Sequence, residues 1–154
     1  MLKNLKVMIQ RIQTVYLFIA ALLVGFLYLF PFAEISTDGV VYLFNFQGIV
    51  QNGILKENGV AISVFIGIIM VLEVFAIISF KNRKRQIRIT VFSILLKLVL
   101  LGMFYFFTYY SFKEAQISFK ISVLFPVIAI ILEYLAILAI KKDEALIRSI
   151  DRIR

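Results

Sequence analysis

Cysteine, histidine and tryptophan do not occur in this 154-residue chain, and proline occurs only twice. Without cysteine and histidine there are no disulfides, no thiolate or imidazole metal sites, no Cys or His nucleophiles and no ordinary near-neutral pH switch. Missing cysteines leave the redox compartment open. There is also no Gly-rich phosphate loop, no His-bearing metal motif and no Ser with a plausible base. The expectation is therefore a protein that is not an enzyme and holds no cofactor and no metal.

Long apolar runs, by contrast, dominate. Hydrophobic residues make up 62% of the chain and mean hydropathy is +0.99, against roughly 45–50% apolar residues in soluble domains. The 17% of charged residues gather between the runs, as they must if the runs cross lipid and the charges stay in water. A net charge of +8 raises nucleic acid as a partner. Most basic residues, however, stand within a few positions of a run's end, which points to the bilayer and its anionic headgroups and away from nucleic acid.

A helix needs roughly 20 residues to cross about 30 Å of hydrocarbon. Four segments qualify: Thr14 to Phe32, Ala61 to Phe80, Ile87 to Tyr110, and Phe119 to Ile140. The first follows Lys3, Lys6 and Arg11 like a signal peptide, but it is longer than a cleavable core, and Pro31-Phe32-Ala33 makes a poor cleavage site. It reads as an uncleaved span. Lysine and arginine crowd the N-terminus, the loop Lys81, Arg83, Lys84, Arg85, Arg88, and the tail Lys141, Lys142, Arg148, Arg152, Arg154, whereas the other two loops carry only Lys56, Lys113 and Lys120. The positive-inside rule then puts both termini and the middle loop in the cytoplasm. The fold class expected is an all-α membrane protein: one domain, a bundle of four transmembrane helices, N-in and C-in.

The outer loop, residues 33–60, contains Val40-Val41-Tyr42-Leu43-Phe44-Asn45-Phe46, which has strand propensity, and an Asn52-Gly53 turn signal. A small β-hairpin and an aromatic loop lying in the interface both fit. Tyr105, Phe106, Phe107, Tyr109, Tyr110 and Phe112 read as an aromatic belt at the outer end of the third span, with a ligand surface as the alternative. In the tail, residues 141–154, Leu146, Ile150 and Ile153 at helical spacing predict an amphipathic continuation of the fourth helix.

Three ionisable residues fall inside the spans: Glu73, Lys97 and Glu133. Counted from the basic ends, each sits about 12–14 Å deep at 1.5 Å per residue, so they share one layer. A lone charge there costs roughly 2.5–3.5 kcal/mol, which favours pairing inside the bundle. Thr90, Ser93 and Lys97 share one face, and Ser118, Ser122, Ala129, Glu133 and Ala136 another, which makes Lys97 with Glu133 the first-choice pair. Glu73, with little polar company, is then expected to hold a proton or to face a cation supplied by a partner protein. Pro126 is expected to kink the fourth helix.

The stretches Met8-Ile9-Gln10-Arg11-Ile12-Gln13-Thr14-Val15-Tyr16-Leu17, Lys81-Asn82-Arg83-Lys84-Arg85-Gln86-Ile87-Arg88 and Ile140 to Arg154 resemble the four-span family of Bacteroidota membrane proteins catalogued as domain of unknown function 4293. The resemblance covers essentially the whole chain. It implies a multi-pass protein of a bacterial inner membrane with no assigned activity, and it supplies no functional residues. All its recognisable motifs lie on one rim: Gln10, Arg11 and Gln13; Lys81, Arg83, Lys84, Arg85 and Arg88; and Lys141, Lys142, Asp143, Glu144, Arg148, Asp151 and Arg152. Arginines here are expected to pair with Asp143, Glu144 or Asp151. The leading expectation for function is a non-enzymatic accessory or assembly protein, working through helix contacts and this rim, within a larger complex or a homo-oligomer. The alternatives are a proton- or cation-coupled transporter or channel using Glu73, Lys97 and Glu133, and a lipid-binding protein.

Overall fold

The computed structural model describes the backbone of residues 2–37, 39–111 and 115–151, and the side chains of 12–37, 39–110 and 115–145. Four helices are present: α1 (Leu2–Phe26), α2 (Val60–Ile78), α3 (Arg83–Ser111) and α4 (Leu124–Asp151). Between them lie five strands: β1 (Ala33–Thr37), β2 (Val40–Asn45), β3 (Gly48–Gln51), β4 (Ile54–Asn58) and β5 (Gln116–Phe119). Short 3-10 turns at Ser79–Lys81 and Ile121–Val123 complete the path.

The fold is therefore mixed, and the all-α expectation is overturned. The strands form one antiparallel sheet in the order β4-β3-β2-β1-β5. A hairpin does form at Asn52-Gly53, where both residues have positive φ (48° and 81°), as a two-residue turn matched to strand twist requires. It is, however, only the edge of a larger sheet. The fifth strand comes from the α3–α4 connection, where Ile117 pairs with Ile35 of β1. Phe119, taken from hydropathy as the start of a helix, ends that strand.

The first expected span, Thr14 to Phe32, changes at its end, because α1 stops at Phe26. Among the described residues, three helices are long and apolar enough to cross a membrane: Val60–Lys81, Arg83–Tyr110 and Ile121–Ala145. The described apolar part of α1, Ile12–Phe26, is shorter. The helix stops at Phe26, five residues before Pro31, and Phe30, the residue preceding that proline, is itself disfavoured in helical geometry. The chain then turns through Leu27–Phe30 and enters the sheet, with the Phe32 amide donating to the Phe44 carbonyl at 2.6 Å. Three candidate spans make this a membrane protein.

Each helix buries a single stripe. On α1 it is Gln13, Leu17, Ala20 and Val24; on α2, Ile62, Ile66, Ile69, Glu73 and Ala76; on α3, Gln86, Thr90, Ser93, Lys97, Leu100 and Phe104; on α4, Ala129, Glu133, Ala136, Ile140 and Asp143. The steps alternate between three and four residues, the 3.5-residue period that suits packing of neighbouring helices at a shallow left-handed crossing. The helices pack α1 on α2 and α4, and α3 on α2 and α4. Their other faces are apolar and open, Val74, Phe75, Leu98 and Val99 among them, as lipid-facing positions should be.

At one end the sheet closes this ring. Ala33, Ile35, Phe44 and Ile49 turn inward onto Leu27, Ile62 and Phe104 in one apolar core. The sheet is tied on by polar contacts too: the Ser63 hydroxyl donates to the Phe46 carbonyl, Tyr28 donates to the Ser63 carbonyl at 2.7 Å, and Ser122 donates to the Pro31 carbonyl. Gly48, at φ +126°, crosses Glu57 and Gly59 so closely that a Cβ there would overlap their main chain. Pro126 lies in the first turn of α4, where a missing N–H leaves no bond unmade. It thus stands at the start of the helix, just after the 3-10 turn Ile121–Val123, and not in the helix interior.

Candidate functional site

The stripes bring Glu73, Lys97 and Glu133 to one level, from three different helices. The Lys97 Nζ lies 2.7 Å from Glu73 Oε1 and 2.9 Å from Glu133 Oε2, and it donates to Ser93 Oγ at 2.8 Å. An ammonium has three N–H groups, and here each has an acceptor. Lys97, Glu73, Glu133 and Ser93 are all 0% exposed. The expected Lys97–Glu133 pair forms, but Glu73 does not stand apart, since Lys97 reaches both carboxylates and the nearer is Glu73. The polar face of α3 carries Lys97 between α2 and α4, so its long side chain serves both.

Such a cluster adds little net stability over a well-packed apolar one, yet losing Lys97 strands buried carboxylate charge at a cost of about 3–5 kcal/mol. It therefore acts as a clamp of specified geometry: α2, α3 and α4 must all be present and in register for Lys97 to be satisfied. The fourth neighbour, α1, contributes Leu17, which packs with Ala76 and Ala136 one turn toward the basic loop. The small residues on α2 and α4 let α1 approach closely.

A second polar level lies at the basic-loop end. Arg83 is ion-paired to Asp143, which is only 2% exposed, and Ser79, Gln86 and Gln13 are buried around the same end. The rim cations Lys81, Lys84, Arg85, Arg88, Lys141 and Lys142 are exposed. Of the other rim residues singled out by sequence, Glu144 is half-buried, while the side chains of Gln10, Arg11, Arg148 and Asp151, and Arg152 altogether, lie outside the described residues. The apolar edge of the tail, Leu146, Ile150 and Ile153, does so too.

At the sheet end, Tyr105, Phe106, Tyr109 and Tyr110 are exposed and stack in two pairs, with ring centroids 5.1 Å apart for Tyr105–Tyr109 and 5.5 Å for Phe106–Tyr110. They border an open apolar groove of about 480 Å³. Phe107 turns the other way and stacks on Phe44 at 5.5 Å. Phe112 is outside the described residues. On the same side Lys120 is ion-paired to Glu34 at 2.6 Å.

A model of the family described as a domain of unknown function (DUF4293) matches residues 9–153. The chain belongs to that family. Searches of curated proteins and of solved structures gave no match. Membership in DUF4293 carries no activity to assign, so the chemistry rests on the geometry. Among the described residues, no group of three or more His, Cys, Asp or Glu side chains could hold a metal ion.

Gln86 was missed by the sequence reading. It lies 11 residues before Lys97 on α3 and so shares its face. Stepping back from Lys97 in fours and threes reaches Ser93, Thr90 and then Gln86.

Proposed function

We propose that this DUF4293 chain is a non-enzymatic accessory or assembly protein of a bacterial inner membrane, with its basic loop toward the cytoplasm and its sheet outside. The observation that carries this reading is the buried three-helix clamp at Lys97: each of the three ammonium donors has an acceptor, no member is exposed, and α2, α3 and α4 are joined at one level. A transporter would draw on a water-reachable passage at both ends, whereas the interior here is closed toward the sheet by Phe32, Phe44 and Phe104. A fixed body offers apolar flanks to neighbouring helices, an exposed cationic rim to anionic headgroups or an acidic partner, and an outer sheet whose edge strand β4 is exposed along its length.

Affinity purification in mild detergent, with cross-linking in the native membrane beforehand, tests the reading. A stable protein partner or a defined homo-oligomer is expected, and a chain that always emerges as a lone monomer would count against it. Liposome flux measurements address the transporter alternative, with no proton or cation flux expected from wild type.

A further inference from the structure

The two halves of the interior differ in chemistry. From Lys97 toward the sheet, the buried residues are apolar: Leu100, Phe104, Ile69, Ile66, Val24 and Ala129. The stacked rings of Phe32 and Phe104, 4.3 Å apart, close that side. The buried hydroxyls there are spent on main chain, Thr108 on the Phe104 and Tyr105 carbonyls and Ser122 on that of Pro31.

From Lys97 toward the basic loop, α3 presents Ser93, Thr90 and Gln86, all buried to within 1%. Each step rises about 4.5–6 Å. Thr90 donates to the Gln86 carbonyl at 3.0 Å, which leaves the hydroxyl oxygen able to accept. The side-chain amide nitrogens of Gln86 and of Gln13, on α1, are buried and have no hydrogen-bond partner. An unmet buried donor costs roughly 1–3 kcal/mol. Two at the same end of the interior point to a small hydrogen-bonding occupant, of which water is the smallest.

The charge layer itself does not balance. Around Lys97, α2 brings Glu73, α4 brings Glu133 and α3 adds only Ser93; on the α1 side are Leu17, Ala20 and the partly buried Tyr16, with no cation among the described residues. One ammonium faces two carboxylates, and Glu73 Oε2 is buried with no partner. An uncompensated charge away from water is costly, and one bound proton makes the layer neutral.

We propose that the layer is a proton-binding site, in which Glu73 and Glu133 share one proton beside the Lys97 ammonium and exchange it with water through the Ser93, Thr90, Gln86 and Gln13 column from the basic-loop end only. No bond beyond O–H forms or breaks: the proton leaves a carboxyl oxygen for water in the column and returns by the same route. The inference stands whether or not the protein is an assembly factor.

Infrared difference spectroscopy on the full chain reconstituted in vesicles tests it. Wild type at neutral pH should show one carboxylic-acid C=O band. Both Glu73→Gln and Glu133→Gln should abolish it, because the carboxylate left behind is matched by Lys97. Hydrogen–deuterium exchange of the wild-type band should slow by about tenfold in Gln86→Leu, as a barrier raised by roughly 1.4 kcal/mol would produce, and should be unchanged in Thr108→Val on the sheet side. The proposal is overturned if wild type lacks the band, if the band survives in either Glu variant, if Gln86→Leu does not slow exchange, or if Thr108→Val slows it equally. The Gln86 and Thr108 variants leave all three charged groups in place, so the test does not depend on the Glu variants folding.

Discussion

The ring of Phe32, just after the α1 turn, lies against that of Phe104 on α3, with the planes 26° apart. Through this pair the sheet is seated on the helices, because Phe32 also meets Phe44 of β2 edge-on at 5.2 Å. All three rings are essentially unexposed. Phe104→Ala should cost about 3–5 kcal/mol, the usual penalty for emptying a buried aromatic site. Protease sensitivity should rise in the sheet before it rises in α2 and α4, and unchanged cleavage there would contradict the role assigned to the stack.

Removing Lys97 strands two carboxyls. Lys97→Met should lower stability by about 3–5 kcal/mol in detergent-unfolding experiments. Replacing Glu73, Lys97 and Glu133 together by leucine should return most of that loss, since no charge is then left buried. A triple variant as unstable as the single one would show that the layer supports the fold in some other way.

Two glycines give opposite outcomes on the same substitution. Gly48→Ala puts a Cβ into the main chain of Glu57 and Gly59 at a positive φ, so the β3–β4 edge should be lost or displaced. In contrast, Gly102 lies in α3 with nothing within 4 Å of an added Cβ, and Gly102→Ala should stabilise by about 0.5–1 kcal/mol through helix propensity. Amide exchange in β4 and thermal unfolding report the two effects separately.

The stripes that build the charge layer were legible in the sequence. Glu73, Lys97 and Glu133 each lie eight or nine residues from a basic helix end, and a constant helical rise converts that spacing into a shared depth. The sheet was not legible in this way. Its partners β1 and β5 are far apart along the chain, β5 is only four residues long, and its inward side chains are as apolar as a span. Hydropathy measures aversion to water and does not distinguish lipid from a protein core. For that reason Leu27 and Phe32, which bury under the sheet, read as the end of a first span. Glu73 was misplaced for a related reason: a helical face lists a residue's own neighbours, whereas its partner came from α3.

The sheet-side ion pair serves as a contrast to the buried layer. Glu34 and Lys120 keep 41% and 37% of their side chains exposed, so Lys120→Ala should change stability by no more than about 1 kcal/mol, and less at high salt. A larger, salt-independent loss would mean that the pair is more sheltered than its geometry shows.

Lys81, Lys84, Arg85 and Arg88 stand exposed together at the turn between α2 and α3. If they meet anionic headgroups, each contributes about 1 kcal/mol. Changing all four to glutamine should then strip phosphatidylglycerol or cardiolipin from the purified protein in native mass spectrometry while leaving zwitterionic lipid bound. Equal retention in both proteins would remove lipid from the rim's partners.

Because β1 is flanked by β2 on one side and β5 on the other, its second edge waits for a segment made much later in translation. At about 5–20 residues per second that interval lasts several seconds. During it the backbone of Ala33–Ser36 has no neighbour from its own sheet on that side. A nascent chain that has not yet reached Gln116 thus holds β1 with β2 alone beside it, and the sheet reaches its full width only when the connection between α3 and α4 has been made.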